Sequence, residues 1–326
     1  MTEPSDLLVE ETASNAAAPG AEALPPANPV EAGAPARSQW RDVWRQFRSH
    51  RGAMVALVLF VSIILFVAIG PWLWTIDPTF VDYRARNQGF SMAHPLGTDQ
   101  LGRDMLARMM TGGRVSIAVG LVAMSIALTL GSLIGVVSGY FKRLDAPLMR
   151  LTELFLALPL LPLLLLMVTL FREPLGQKLG PAGGTFLLIV SAIGVTSWMQ
   201  TARIVRGDVL GLKEREFILA AKSIGTPAPR MILRHVLPNV ISPIMVAATL
   251  GIATAIITES ALSFLGLGFP PDFPTWGRLL FDAVDQMQQY PWRVILPGAF
   301  ISLTVLSVNY IGDGLRDAMD PRIRGR

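Results

Sequence analysis

Apolar residues along this chain gather into six runs, separated by stretches in which charge, proline and glycine collect. The runs are Gly52 to about Trp74, Val115 to about Phe141, and about Leu148 to Phe171. They continue with about Thr185 to Ala202, about Pro238 to Leu267, and about Val294 to Gly312. Crossing a hydrocarbon core of about 30 Å takes roughly 20 helical residues, and each run comes close to or exceeds that length. Backbone polar groups have no water to bond inside a bilayer, so each run is expected to be helical. Pro159 and Pro162 lie inside the third run and predict a kink there. Gly131, Gly135 and Gly139 recur every fourth residue in the second, a spacing that lets two helices approach closely.

Residues 1–36, rich in Ala, Pro and Glu and without an aromatic residue, read as a disordered tail. The acidic start with no apolar core after it does not resemble a signal peptide. Over 37–51 the character changes. Arg37, Arg41, Arg45, Arg48 and Arg51 interleave with Trp40, Trp44 and Phe47, the aromatics falling on one helical face. This suits a basic amphipathic helix on an anionic leaflet, with a solvated basic linker as the alternative. Residues 52–326 then form the membrane domain.

Composition agrees: of 326 residues, 52% are hydrophobic and 16% charged, far more apolar than a soluble domain needs. The net charge of +4 fits basic cytoplasmic loops better than nucleic-acid binding. The N-terminal arginines, Lys142-Arg143, the basic 203–234 segment and Arg316, Arg322, Arg324 and Arg326 share one side if six spans alternate. Both termini are therefore expected inside. The 75–114 segment fits less well, because it carries Arg84, Arg86, Arg103, Arg108 and Arg114 on the opposite side.

No catalytic, cofactor-binding or metal site is expected. The chain has no cysteine, and its three histidines, His50, His94 and His235, are scattered. There is no phosphate-binding G-x-x-x-x-G-K-[ST] and no G-x-S-x-G elbow. Gly266 and Gly268 read as helix-end residues. Uphill transport would thus draw on an ion gradient or a partner ATPase. A gradient-driven carrier calls for ionisable groups near the bilayer midplane. Glu259, about 30 Å along the fifth run at 1.5 Å per residue, falls near its outer end instead.

The segment 203–237 offers a handle for a partner. Leu210, Phe217, Ile218, Ala221 and Ile224 cluster on one helical side, with Lys213, Glu214, Glu216 and Lys222 largely elsewhere. Gly225 suits a helix end and Pro227 blocks continuation, so two short helices should meet at a corner. A helix lying on the membrane surface is the other reading of this pattern.

Ala220-Ala221, Gly225 and Leu237-Pro238 resemble the EAA loop of bacterial ABC importer permeases. Leu219 departs from it, standing where that motif has Glu, and Glu216 lies one turn earlier. Three further stretches resemble the dipeptide/oligopeptide/nickel permease family. They are His94-Pro95-Leu96-Gly97-Thr98-Asp99 with Leu101-Gly102-Arg103-Asp104, Glu259 to Gly268 with Pro271, Pro274, Trp276 and Gly277, and Gly312 to Asp317 with Asp320-Pro321-Arg322.

The resemblance implies an all-α integral membrane protein with the six-helix ABC importer type I permease fold, in the bacterial inner membrane. It implies a homologous second permease, two ABC ATPase subunits carrying ATP and Mg, and an external solute-binding protein. The solute would be a di- or oligopeptide, or alternatively nickel or a glutathione-like molecule. ATPase coupling would fall to Glu216, Leu219, Ala220, Ala221, Gly225, Leu237 and Pro238. Asp99, Asp104, Asp272 and Trp276 are candidates for binding-protein contact, although Asp99 and Asp104 equally suit ion pairs that pin their loop. Ser197, Gln200, Ser242, Thr249 and Asn309 are candidates to line the path, or to hydrogen-bond between helices.

Overall fold

The computed structural model describes residues 39–319. Val43–Arg326 forms one compact unit; of the unit before it, Met1–Asp42, only the start of the first helix is described. The expected 1–36 tail and the motif end at Asp320-Pro321-Arg322 lie outside the described residues.

Helix α1 (Gln39–Ser49) is short and stops where His50 caps the next helix. His50 Nδ1 accepts from the Ala53 N–H at 3.0 Å, satisfying a donor left over at the helix start. The aromatic face predicted here divides in two. Phe47 is buried beside Ala53 and Ala318, whereas Trp44 stacks on Phe47 and stays exposed.

Helix α2 (Arg51–Leu73) matches the first run, and α3 (Met105–Tyr140) starts ten residues before the second. The early start is explained by satisfied polar groups that hydropathy does not register. Asp104 caps α3 by accepting from the Ala107 N–H at 2.7 Å. Pro71 has no N–H, which leaves the Val67 carbonyl of α2 without its intrahelical donor. Arg114 fills the gap, donating from Nε to Val67 O at 2.6 Å, while its Nη2 donates to Ala68 O at 2.6 Å.

The third run differs from its prediction. Instead of one kinked helix there are two, α4 (Lys142–Leu156) and the start of α5 (Leu160–Lys213). Pro159 stands at the N-cap of α5 and Pro162 in its first turn, where a missing N–H costs no intrahelical bond. Helix α5 runs over 54 residues, but Gly180 inside it has φ 78° and ψ 160°, which is not helical. A Cβ on Gly184 would lie 2.6 Å from the Leu175 carbonyl carbon, whereas residues 175 and 184 of a straight helix sit roughly 13 Å apart. The chain therefore folds back at Gly180, where a positive φ favours glycine. Its two arms, 160–179 and 181–213, correspond to the third and fourth runs. Five helical stretches in the described residues are long and apolar enough to cross a membrane, and α5 is one of them.

Helix α6 (Glu216–Ser223) and the single turn α7 (Ala228–Met231) follow, then a π-helical turn Ile232–Val236 leading into α8 (Leu237–Phe264). Helix α9 (Trp276–Val284) lies between α8 and α10 (Trp292–Met319). The largest core joins α3, both arms of α5 and α8 through Val119, Leu164, Ile189, Ile193 and Leu262. Along α3 the glycine stripe lies against α5: added Cβ atoms would meet Trp198 O at 2.6 Å, Ala202 O at 2.7 Å and Arg206 O at 3.1 Å. Backbone meets backbone there, as the four-residue spacing predicts.

Candidate functional sites

At one end of the helices, α6 presents two unlike faces. Ile218 and Ala221 are 3% and 7% exposed and pack with Val205 and Val209 of α5, Val136, Met231 and Val236. Phe217, Leu219, Ala220, Ser223 and Ile224 point outward, Ile224 being 84% exposed. The single apolar side expected from sequence is thus corrected: Ala221 belongs to the chain's own core, and the free apolar surface is carried by Phe217, Leu219, Ala220 and Ile224. The corner forms as predicted. Gly225 has φ 80°, its N–H bonds Lys222 O at 3.0 Å, and the Thr226 N–H bonds Ala221 O at 3.1 Å. That double closure is a Schellman end. Glu216 is exposed at the first turn of α6, while Leu237 and Pro238 open α8.

The base under α6 is tied down by polar contacts. Lys213 Nζ donates to Gly139 O at 3.2 Å and Tyr140 O at 3.0 Å, the free carbonyls ending α3. Arg206 holds Asp145 of α4 with both carboxylate oxygens, at 2.5 and 2.8 Å. Hydrogen bonding from Arg206 holds the Asp145 carboxyl below the usual carboxylate range, against a smaller opposing effect of burial.

Between the ends lies a cavity of about 460 Å³. Thr196, Ser197, Gln200 and Thr201 of the second α5 arm and Thr254 of α8 give it a polar wall; Phe155, Leu156, Leu158, Leu160 and Leu163 face them. No charged side chain lines it. Of the five path candidates, Ser197 and Gln200 meet here. Ser242, Thr249 and Asn309 do not line this cavity, and Thr249 sits against Gly312 of α10. Phe155 and Thr254 escaped the sequence reading, since nothing in their neighbours marks them.

At the other end, the His94–Asp104 segment is locked rather than displayed. Asp104 binds His94 Nδ1 at 2.8 Å and accepts from Trp74 Nε1 at 3.0 Å. Asp99 accepts from Arg103 Nε at 2.6 Å and from Arg108 at 2.5 Å. Arg108 reaches on to Asp282 of α9 at 3.1 Å, and Arg278 pairs with the same carboxylate at 2.9 Å. Burial pushes the Asp99 carboxyl upward, but Arg108, Arg103 and backbone N–H groups outweigh it and hold it below the usual range. Arg293 of α10 closes the network, donating to Thr98 O at 2.6 Å and Asn87 Oδ1 at 2.9 Å.

Three of the four residues expected to meet a binding protein are therefore interior. Asp99 and Asp104 are 5% and 2% exposed. Trp276 is fully buried, its Nε1 bonded to Met109 O at 3.1 Å. Only Asp272 is on the surface. Glu259 ends up nearby with no exposed surface, accepting from Ser116 Oγ at 3.0 Å and Ser263 Oγ at 2.7 Å. Ser116 Oγ in turn accepts the Trp276 N–H at 3.2 Å, so α3, α8 and α9 meet at this carboxyl.

Comparison with known proteins fits this arrangement. Residues 127–325 match the family model "Binding-protein-dependent transport system inner membrane component". Residues 38–89 match "N-terminal TM domain of oligopeptide transport permease C". The oligopeptide transport system permease protein OppC of Escherichia coli (strain K12) is 40% identical over 291 residues, 88% of this chain and 93% of that one. OppC of Haemophilus influenzae is 39% identical over 291 residues, 88% and 90% of the two chains. The dipeptide permease DppC of Alkalihalophilus pseudofirmus is 38% identical over 288 residues, 88% and 91%. Among solved structures, a chain of the MetNI methionine ABC transporter in inward facing conformations shares the fold, with a TM-score of 0.53 at 16% identity, covering 64% of this chain and 95% of that one. With the family model spanning most of the helices and relatives aligned nearly end to end, the chain belongs to the binding-protein-dependent transport system inner membrane components, the permease subunits of ABC importers.

Proposed function

We propose that this chain forms half of the membrane pathway of an ATP-driven importer of di- and oligopeptides. A homologous second permease supplies the other half, two ATPase subunits burn ATP with Mg, and an external binding protein delivers the solute. The observation that carries the reading is the exposed apolar face of α6, held on a rigid base at the end where positive charge collects. The peptide assignment rests on the relatives, whose names are those of oligopeptide and dipeptide permeases.

Arg48, Arg51, Lys142, Arg143, Lys213, Arg215, Lys222, Arg230 and Arg234 share the α6 end, and the positive-inside bias supports reading that end, and with it both termini, as cytoplasmic. Residues 37–51 then lie along the inner leaflet and 52–326 make up the permease domain, preceded by the 1–36 tail. The ATPase seats Phe217, Leu219, Ala220 and Ile224, with Glu216 and Gly225 shaping the ends of that helix. Movement of α6 passes through Ile218 and Ala221 to Val205 and Val209 of α5. The same arm carries Ser197 and Gln200, so a shift at its base alters the cavity wall. Alternating access follows when ATP binding and release favour different arrangements of that arm.

Proteoliposomes holding the four membrane-associated subunits, with binding protein outside, test this. Uptake of a labelled tripeptide should require ATP inside and persist when ionophores collapse proton and sodium gradients. Uptake without ATP, or uptake stopped by ionophores while ATP is held constant, would refute ATP coupling. Nickel uptake in place of peptide uptake would reassign the solute. For topology, the chain has no native cysteine. Cysteines at Met92, 96% exposed, and at Asp272 should react with an impermeant maleimide from outside, and one at Ser223 should not.

A further inference from the structure

The end opposite α6 carries a second concavity, a cleft of about 610 Å³ between the α5 fold-back and the 266–271 segment. Its charged lining is Arg172, Glu173 and Arg278. Two of those three are cations. Two carboxylates, Asp99 and Asp282, hold three guanidiniums, Arg103, Arg108 and Arg278. Arg172 has no ion pair among the described residues. One of its terminal nitrogens donates to the Leu267 and Gly268 carbonyls, and among the described residues the rest of the guanidinium has no hydrogen-bond acceptor. A positioned guanidinium with donors to spare on a cleft wall is suited to a planar, two-oxygen anion.

The second α5 arm contributes to this cleft and to the central cavity. Thr185 lines the cleft and Thr196 lines the cavity. These two positions are three helical turns apart, roughly 16 Å, and share one face of the arm. Between them Ile189, Ala192 and Ile193 are closed into the largest core, so passage from cleft to cavity requires the packing of α3, α5 and α8 to open there.

We propose that Arg172, with Arg278 across the cleft, receives the C-terminal carboxylate of the incoming peptide before it reaches the neutral cavity. The inference rests on the peptide reading above and adds a site to it. It also gives a reason for the positive charge on the side where the positive-inside bias expects little. Glu173, exposed on the same wall, sets the opposite sign and weakens the attraction for anions.

The test compares a tripeptide with its C-terminal amide in proteoliposomes of the full complex, each peptide supplied on saturated binding protein. Arg172→Gln should lower uptake of the acid roughly tenfold, on the scale of one charge-assisted hydrogen bond, and change uptake of the amide less than about twofold. Arg172→Lys should recover part of the loss. Glu173→Gln, at an exposed position that leaves the fold alone, should raise the acid-to-amide ratio. An unchanged ratio in both Arg172→Gln and Glu173→Gln overturns the proposal. So does a loss that is equal for both peptides and accompanied by weaker binding-protein affinity, since the carboxylate would then belong to that protein. If Arg172→Gln does not assemble, the ratio in Glu173→Gln decides alone. Absence of wild-type uptake for either peptide defeats the peptide reading instead, a distinct result.

Discussion

Placing an aspartate on each face of α6 separates coupling from folding. Ala221 is 7% exposed among Ile218, Val205, Val209 and Met231. Ala221→Asp would bury a carboxylate among these apolar side chains, which costs about 3 kcal/mol or more. The assembled permease should melt several degrees lower, and less of it should reach the membrane. Phe217 is 45% exposed, so Phe217→Asp leaves the chain's own packing largely intact. Docking would bury that remaining surface, about half of the 1.5–3 kcal/mol a full Phe contributes, so roughly 1 kcal/mol is lost. Desolvating the new carboxylate against an apolar groove adds about 2 kcal/mol, and the total of about 3 kcal/mol corresponds to an affinity loss of roughly a hundredfold. Titrating ATPase subunits onto the permease pair in nanodiscs, alongside its thermal unfolding, reads both effects. Wild-type affinity in Phe217→Asp would refute the docking face. Wild-type stability in Ala221→Asp would refute the inward placement of that residue.

Gly135→Leu should force α3 away from α5, since even a Cβ would sit 2.7 Å from Ala202 O; a drop in thermal stability of about 2 kcal/mol or more is expected, and an unchanged melting temperature would contradict the close approach. Trp276→Ala removes a fully buried ring and should cost about 3–5 kcal/mol, so yield falls while uptake per assembled complex is kept; normal yield with lost uptake would return this residue to the docking surface. Because the folded Asp99 carboxyl lies below its ordinary range, its contribution is complete above about pH 4 and is lost as pH falls through the lower folded value. Proteolysis of the 75–104 segment should therefore be unchanged between pH 7 and pH 5, whereas Asp99→Asn should accelerate it at both.

The apolar runs located the five stretches of the described residues that are long and apolar enough to cross a membrane, because lipid enforces a helix wherever a long apolar run occurs. They misplaced ends wherever polar groups were satisfied by distant partners. Arg108 and Arg114 read as loop charges but lie inside α3, one on Asp99 and Asp282, the other on the Val67 carbonyl released by Pro71. The kink assigned to Pro159 became a break for a similar local reason, since a proline at a helix start is cheaper than one in the middle. The α6 corner was legible from Gly225 and Pro227, but the direction of each α6 face was not. Ile218 and Ile224 are chemically alike, and only the position of α5 and the π-helical turn decides which is covered. Trp276 showed the converse: an aromatic residue in a proline-rich loop resembles a docking anchor until the neighbouring helix is seen to enclose it.

The π-helical turn at Ile232–Val236 lets this joint lose a residue without losing register. The Leu237 N–H bonds Ile232 O, a step of five residues where an α-helix uses four. One residue more than an α-helix requires is therefore stored between α7 and α8. Removing Leu233, which is 66% exposed, would draw the turn into α-helical register and leave the faces of α6 and α8 aligned as they are. The same deletion further along α8 would rotate everything on one side of it by about 100° and carry Glu259 out of its serine-lined setting. A one-residue change of length thus has a structural refuge at this turn, close in sequence to the exposed apolar face of α6.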